Sequence, residues 1–172
     1  HNKGKDKRIY KANIVSNEIN RVCDQEGINS AIVSPCGEKI IIINDSLIKP
    51  PTLRLISINN NNSLLIYHSK ESKEDNIIPE EFTFKSKSGH DINGLLYKPT
   101  KKKQKHPMLL MVYGGPHVQL VRNAWNLSAD RRARFYAKKG FFVVKIDNRG
   151  TWGRSRAFEN EIYLNLGQLE IE

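Results

Sequence analysis

Apolar residues in this chain fall in short runs whose spacing changes near the middle of the sequence. Up to residue 58 they read as strands separated by turns. Arg8 to Val15 contains a partly alternating pattern, Ile28 to Ser34 gives another, and Lys39-Ile-Ile-Ile-Ile-Asn44 is a β-branched run. The last two flank Ser34-Pro35-Cys36-Gly37, where proline presets φ and glycine takes a positive one, so they predict a hairpin. Thr52 to Ile58 follows Pro50-Pro51 as a further strand. Strands at this spacing suit a sandwich, a barrel or a propeller blade, and a single four-stranded blade needs neighbouring sequence to pack against. Asn59 to Pro79 reads as a polar connection whose only apolar island is Leu64-Leu-Ile-Tyr67. A domain boundary is expected near residue 78, giving an all-β part over 1–78 and a second part over 79–172.

The second part opens with another predicted hairpin, Glu81 to Lys85 and Asp91 to Tyr97 around Ser88-Gly89. Met108-Leu-Leu-Met-Val112 and Phe141-Phe-Val-Val-Lys-Ile146 are unbroken apolar or β-branched runs, as expected of parallel strands covered on both faces. Between them Ser128 or Asp130 can cap a helix through Lys139, with Ala133, Phe135, Tyr136 and Ala137 on its apolar face and Gly140 closing it. This is a strand–helix–strand crossover, which makes the two strands parallel neighbours. Glu159 to Leu169 is expected to begin another helix. The predicted fold class is therefore α/β, preceded by antiparallel strands.

Composition changes this picture little. Apolar residues make up 38% and mean hydropathy is −0.55, against roughly 45–50% apolar, glycine included, in ordinary domains. The deficit lies in the first hundred residues, where Asn and Lys recur. A net charge of +10 invites a nucleic-acid reading, but the basic residues are scattered. They occupy Lys3 to Arg8, Lys101 to Lys105 and Arg131 to Arg134, with no recognition motif beside them. No nucleic-acid partner is expected. The two cysteines, Cys23 and Cys36, form neither a CxxC nor a metal spacing. They favour a reducing compartment, whereas sequons at Asn44, Asn61 and Asn126 pull the other way. No metal or cofactor is expected, and no run approaches a membrane span.

Candidate chemistry gathers where the two crossover strands end. Tyr113-Gly114-Gly115-Pro116 follows the first, and its glycines let the backbone approach a ligand. The Tyr113 phenol could donate to a developing oxyanion, or it could pack beside a tight turn. Asp147-Asn148-Arg149-Gly150 ends the second strand. Asp147 and Arg149 could bind a charged substrate group, though internal hydrogen bonds that hold the following loop are the better reading. The histidines, His1, His68, His90, His106 and His117, show no pairing by spacing; His117, nearest this edge, is read as lining a loop. No Gly-x-Ser-x-Gly nucleophile elbow occurs.

These motifs resemble the dipeptidyl peptidase IV branch of the prolyl oligopeptidase family of serine peptidases. Tyr113-Gly-Gly-Pro-His-Val-Gln-Leu-Val121 is similar to its oxyanion segment, and Asp147-Asn-Arg-Gly-Thr151 to its Asp-x-Arg-Gly-[Ser/Thr] strand end. The stretch from Leu166 to Glu172 is similar to the helix before its catalytic serine. The Ser34–Gly37 hairpin and the Pro50-Pro51 segment look like its last propeller blade. Gly153-Arg154-Ser155 departs from the Arg-Gly or Gln-Gly usual after the Arg-Gly turn.

The resemblance implies the end of a β-propeller followed by the opening of an α/β-hydrolase domain. It implies a serine exopeptidase that cleaves N-terminal dipeptides after proline or alanine, with peptide substrates, no cofactor and a homodimeric parent protein. Tyr113 alone carries over as a catalytic residue, the oxyanion-hole donor. The family's serine, aspartate and histidine are expected after Glu172 and its paired glutamates before His1, which makes this chain an inactive fragment. Similarity to the soluble intracellular members through Val118-Gln-Leu-Val121 gives a cytoplasmic expectation. A non-catalytic binding module on a degenerate propeller–hydrolase frame is the alternative; the residue at the nucleophile elbow separates the two.

Overall fold

A computed structural model of the chain describes residues 4–60, 62–70, 77–101 and 103–171. His1, Lys3, Asn61, Lys102 and Glu172 of the sequence reading, with 71–76 of the polar connection, lie outside the described residues. The chain divides into two units, His1–Lys73 with Arg122–Trp125 and Glu74–Val121 with Asn126–Glu172.

In the first unit, β1 (Tyr10–Ala12) and β2 (Ile19–Arg21) form a short antiparallel pair. β3 (Ile28–Val33), β4 (Lys39–Asp45), β5 (Thr52–Ser57) and β6 (Ser63–His68) follow as an antiparallel sheet in the order β3-β4-β5-β6. The expected hairpin joins β3 to β4, with Gly37 at φ 72°. β6 corrects the polar connection, because the island from Leu64 to Tyr67 pairs along β5 as a fourth strand. β2 was likewise hidden in polar sequence. Every second residue of β4 turns inward, and Ile40 and Ile42 pack with Cys23 and Ile56 against Ile9, Val22 and Ile58.

Two buried asparagines tie this sheet to the chain ahead of it. Asn29 Nδ2 donates to the carbonyls of Lys7 and Gln25, and Asn44 Nδ2 donates to Glu26 O and Asn29 Oδ1. The sequon at Asn44 is thus committed to packing, and that residue is 4% exposed. Arg122–Trp125 docks in the same unit: Asn123 Oδ1 accepts from Leu47 N, its Nδ2 donates to Asp6 Oδ1, and Asp45 Oδ1 accepts from Trp125 N.

The second unit holds β7 (Glu80–Lys85), β8 (Asp91–Tyr97), β9 (Met108–Met111) and β10 (Phe142–Ile146), in the sheet order β7-β8-β10-β9. β10 runs parallel to β9 and antiparallel to β8, so the crossover expected between the two apolar runs is present. Its helical part is α1 (Trp125–Ser128) and α2 (Arg131–Lys138). Asp130 caps α2, accepting from Arg132 N and Ala133 N, and Gly140 follows the helix at φ 98°. Ala133 and Ala137 are buried, whereas Phe135 and Tyr136 are exposed. β9 also departs from expectation. It lies at the sheet edge, and Met108, Leu110 and Val112 are each at least half exposed.

After β10 comes α3 (Arg156–Asn160), capped by Ser155, and then a run of turns. It replaces the helix expected over Glu159 to Leu169, and Leu164 and Leu166 are exposed. That stretch has leucines but no repeating apolar face, and Leu164 takes φ 60°, which interrupts a helix. The fold is the opening part of an α/β-hydrolase sheet preceded by antiparallel strands of a propeller blade.

Candidate active site

β9 and β10 are parallel neighbours, so the segments after Met111 and Ile146 leave the same edge of the sheet. This is where open α/β sheets place their ligands. Tyr113 stands there, 55% exposed. Gly114 follows at φ 73°, a conformation L residues seldom adopt. Gly115 makes a close approach instead, since a Cβ on it would lie 3.0 Å from Tyr113 Cε1 and the ring would have to give way. The tyrosine ring therefore lies close over the second glycine. The chain bends from Gly115 on, beside a tyrosine that stays open to solvent.

The segment after Ile146 holds this turn from below. Asn148 Nδ2 donates to Gly115 O at 3.2 Å and to Arg149 O at 2.6 Å. Asp147 Oδ1 accepts from Leu120 N at 2.7 Å and Val121 N at 3.1 Å. His117 N donates to Gly150 O at 3.4 Å. Thr151, fully buried, returns its hydroxyl to Asn148 O at 2.6 Å. Asp147 and Asn148 are themselves buried. Charge and amide are thus placed to fix a backbone.

Asp147 makes internal hydrogen bonds as expected, but the loop it holds is the one after β9, not the one after β10. Arg149 turns to the following segment: Nε meets Glu161 Oε2 at 2.8 Å and Nη1 reaches Ser88 Oγ at 3.3 Å. Glu161 also faces His90 Nε2 at 3.6 Å. His117 is exposed at φ 65° and joins the site through its backbone. Asn148 was not singled out by sequence reasoning. The one available signal was its place inside the Asp147–Gly150 motif, and a one-dimensional reading does not show that its acceptor lies at Gly115.

Behind the edge, the Tyr97 phenol is buried and donates to Leu127 O. Burial pushes this hydroxyl well above its ordinary value, so it stays protonated as a structural donor. Among the described residues no group of three or more His, Cys, Asp or Glu could hold a metal. No helix among them is long and apolar enough to cross a membrane.

Comparison with known proteins gives the following. The model of the prolyl oligopeptidase family matches residues 125–172. Dipeptidyl peptidase 8 of Mus musculus and of Homo sapiens are each 42% identical over 96 residues, covering 55% of this chain and 11% of those proteins. Dipeptidyl-peptidase 5 of Schizosaccharomyces pombe is 25% identical over 163 residues, covering 92% of this chain and 23% of that protein. The crystal structure of Porphyromonas gingivalis dipeptidyl peptidase 4 superposes with a TM-score of 0.85 at 21% identity, covering 96% of this chain and 24% of that one. The chain therefore spans about a tenth to a quarter of the length of these relatives.

Proposed function

We propose that this chain, similar over part of its length to dipeptidyl peptidases of the prolyl oligopeptidase family, supplies the oxyanion-hole donor of a serine exopeptidase. The whole protein removes N-terminal dipeptides after proline or alanine by acyl transfer. No Gly-x-Ser-x-Gly nucleophile elbow occurs in these 172 residues, and we infer that they do not turn over substrate by themselves. Peptides are the substrates and the whole protein is a homodimer.

The observation that carries this reading is the solvent-open Tyr113 phenol on a fixed Gly-Gly turn at the strand-end edge. When a serine attacks the scissile carbonyl, negative charge moves onto the carbonyl oxygen. A preorganised O–H aimed at that oxygen stabilises the tetrahedral intermediate more than the substrate, which is the condition for raising kcat.

Tyr113→Phe in the whole protein tests it. Loss of one such donor is expected to lower kcat about 100- to 1,000-fold with KM little changed. An unchanged kcat returns Tyr113 to packing. The isolated chain should not turn over a fluorogenic Gly-Pro substrate, and serine-inhibitor-sensitive turnover by it would defeat the argument from the missing nucleophile.

A further inference from the structure

We propose that Asn148 is a positioning residue that sets the Tyr113 turn, an inference that rests on the oxyanion-donor reading of Tyr113. A carboxamide has two N–H protons on one nitrogen, and here both are committed. One goes to Arg149 O, which fixes the Asn148 side chain against its own backbone; the other crosses to Gly115 O. Both partners are carbonyls, so only an NH2 group serves, and neither aspartate nor a hydrophobic residue can replace it. The cross-strand bond lands on the residue that the Tyr113 ring overlies. Gly115 O is thereby tied to the end of β10, while Asp147 holds the same loop at Leu120 and Val121. Thr151, bonded to Asn148 O through both its hydroxyl and its N–H, keeps the asparagine backbone in place.

The turn needs such a tie because it has little of its own. Tyr113 is exposed, Gly114 has open space around its Cα, and His117 sits at a positive φ that side chains seldom adopt. Without Asn148, the Gly115 carbonyl loses its bond to the end of β10, and the remaining ties at His117, Leu120 and Val121 lie farther along the loop from Tyr113. Misplacement of a catalytic group by about 1 Å can cost on the order of 100-fold in rate.

The test combines a kinetic cycle with a direct probe of the ring. Asn148→Asp is isosteric and removes both donors. In the whole protein it should lower kcat roughly 10- to 100-fold at nearly constant KM, and adding it to Tyr113→Phe should cause little further loss. Where Tyr113→Phe itself lowers kcat, multiplying losses or an unchanged kcat in Asn148→Asp overturn the proposal. Independently of catalysis, 3-fluorotyrosine is incorporated into the 172-residue chain and the Tyr113 resonance is assigned by its loss in Tyr113→Phe. In Asn148→Asp that signal alone should shift or broaden. An unmoved Tyr113 signal overturns the positioning role even if Tyr113 proves catalytic. A silent Tyr113→Phe with a moved signal overturns the oxyanion reading and leaves the tie intact. If Asn148→Asp disturbs every tyrosine signal, Asn148→Ser takes its place, being too short to reach Gly115 O, with the same two outcomes.

Discussion

Lys145 lies on β10 with 4% of its surface exposed, an unusual place for an ammonium group. Its Nζ meets Asp130 Oδ2 and sits 5.6 Å from the centre of the Tyr97 ring. Asp130 also accepts two backbone N–H groups as the cap of α2, so one carboxylate joins helix start to strand. Burial alone would push the Asp130 carboxyl up. The Lys145 hydrogen bond and charge, with the amides of Ala133 and Arg132, outweigh burial and hold it below its ordinary 3.8. A depressed carboxyl contributes stability that is present above the unfolded value and lost as pH falls through the folded one. Lys145→Met leaves that partly buried carboxylate without its counter-charge but with its two amide donors, and should cost about 1–3 kcal/mol near neutral pH. The difference from the parent chain should shrink as pH falls through the lowered folded value, where Asp130 becomes protonated. Urea titrations along that pH series decide it, and a cost independent of pH would mean that packing of the lysine stem is what was lost. Sequence alone offered Ser128 or Asp130 as the cap and gave no hint of Lys145 as its partner, because an apolar strand run gives no sign that its one lysine points inward.

At the scale of elements, β8 is the strand on which the second sheet is built, since it pairs with β7 on one side and β10 on the other. Gly94 stands opposite both Phe82 and Ile146. A Cβ there would meet the Phe82 ring at 2.1–2.6 Å. The phenylalanine thus covers the glycine, and its ring occupies the space a side chain would need. Gly94→Ala should destabilise the chain by about 1–3 kcal/mol through overpacking, measured as a lowered urea midpoint at unchanged slope. Gly94→Ala with Phe82→Leu should recover part of that loss, and an additive loss would remove Phe82 as the cause. The hairpin around β8 was legible because apolar runs flank a Ser-Gly turn, and the β9–β10 crossover because two unbroken runs bracket a capped helix. β2 and β6 were not. β2 is three residues long with an arginine and an asparagine, and β6 is an apolar island without alternation in an Asn-rich stretch. Each takes its strand character from the neighbour it pairs with. The site followed the same division. Tyr113 and its glycines were readable as residue types, whereas the tie from Asn148 to Gly115 spans 33 positions and exists only once β9 and β10 are side by side.

Taken whole, the chain combines a large net positive charge with apolar surface left open on each unit. In the first unit Leu64, Leu65, Ile66 and Tyr67 are all at least 43% exposed, on the outer strand of its sheet. In the second, the edge strand β9 leaves Met108 and Leu110 exposed. Unpaired strand edges with consecutive apolar residues template association with another chain. The charge of +10 opposes it, because like-charged molecules repel over about a Debye length, roughly 10 Å at 0.1 M salt. The two effects respond differently to salt. Screening removes the repulsion and leaves the apolar attraction, so self-association of the 172-residue chain should rise with sodium chloride. Sedimentation velocity at about 0.05 M and about 0.5 M salt measures this directly. Leu64→Lys with Ile66→Lys should abolish most of the rise by placing charges on the open edge. If association instead falls with salt, opposite charges on neighbouring copies drive it and the β6 edge is not the contact. If it rises but the lysine pair leaves it unchanged, the attraction lies elsewhere, and the β9 edge is the next to charge, through Met108→Lys.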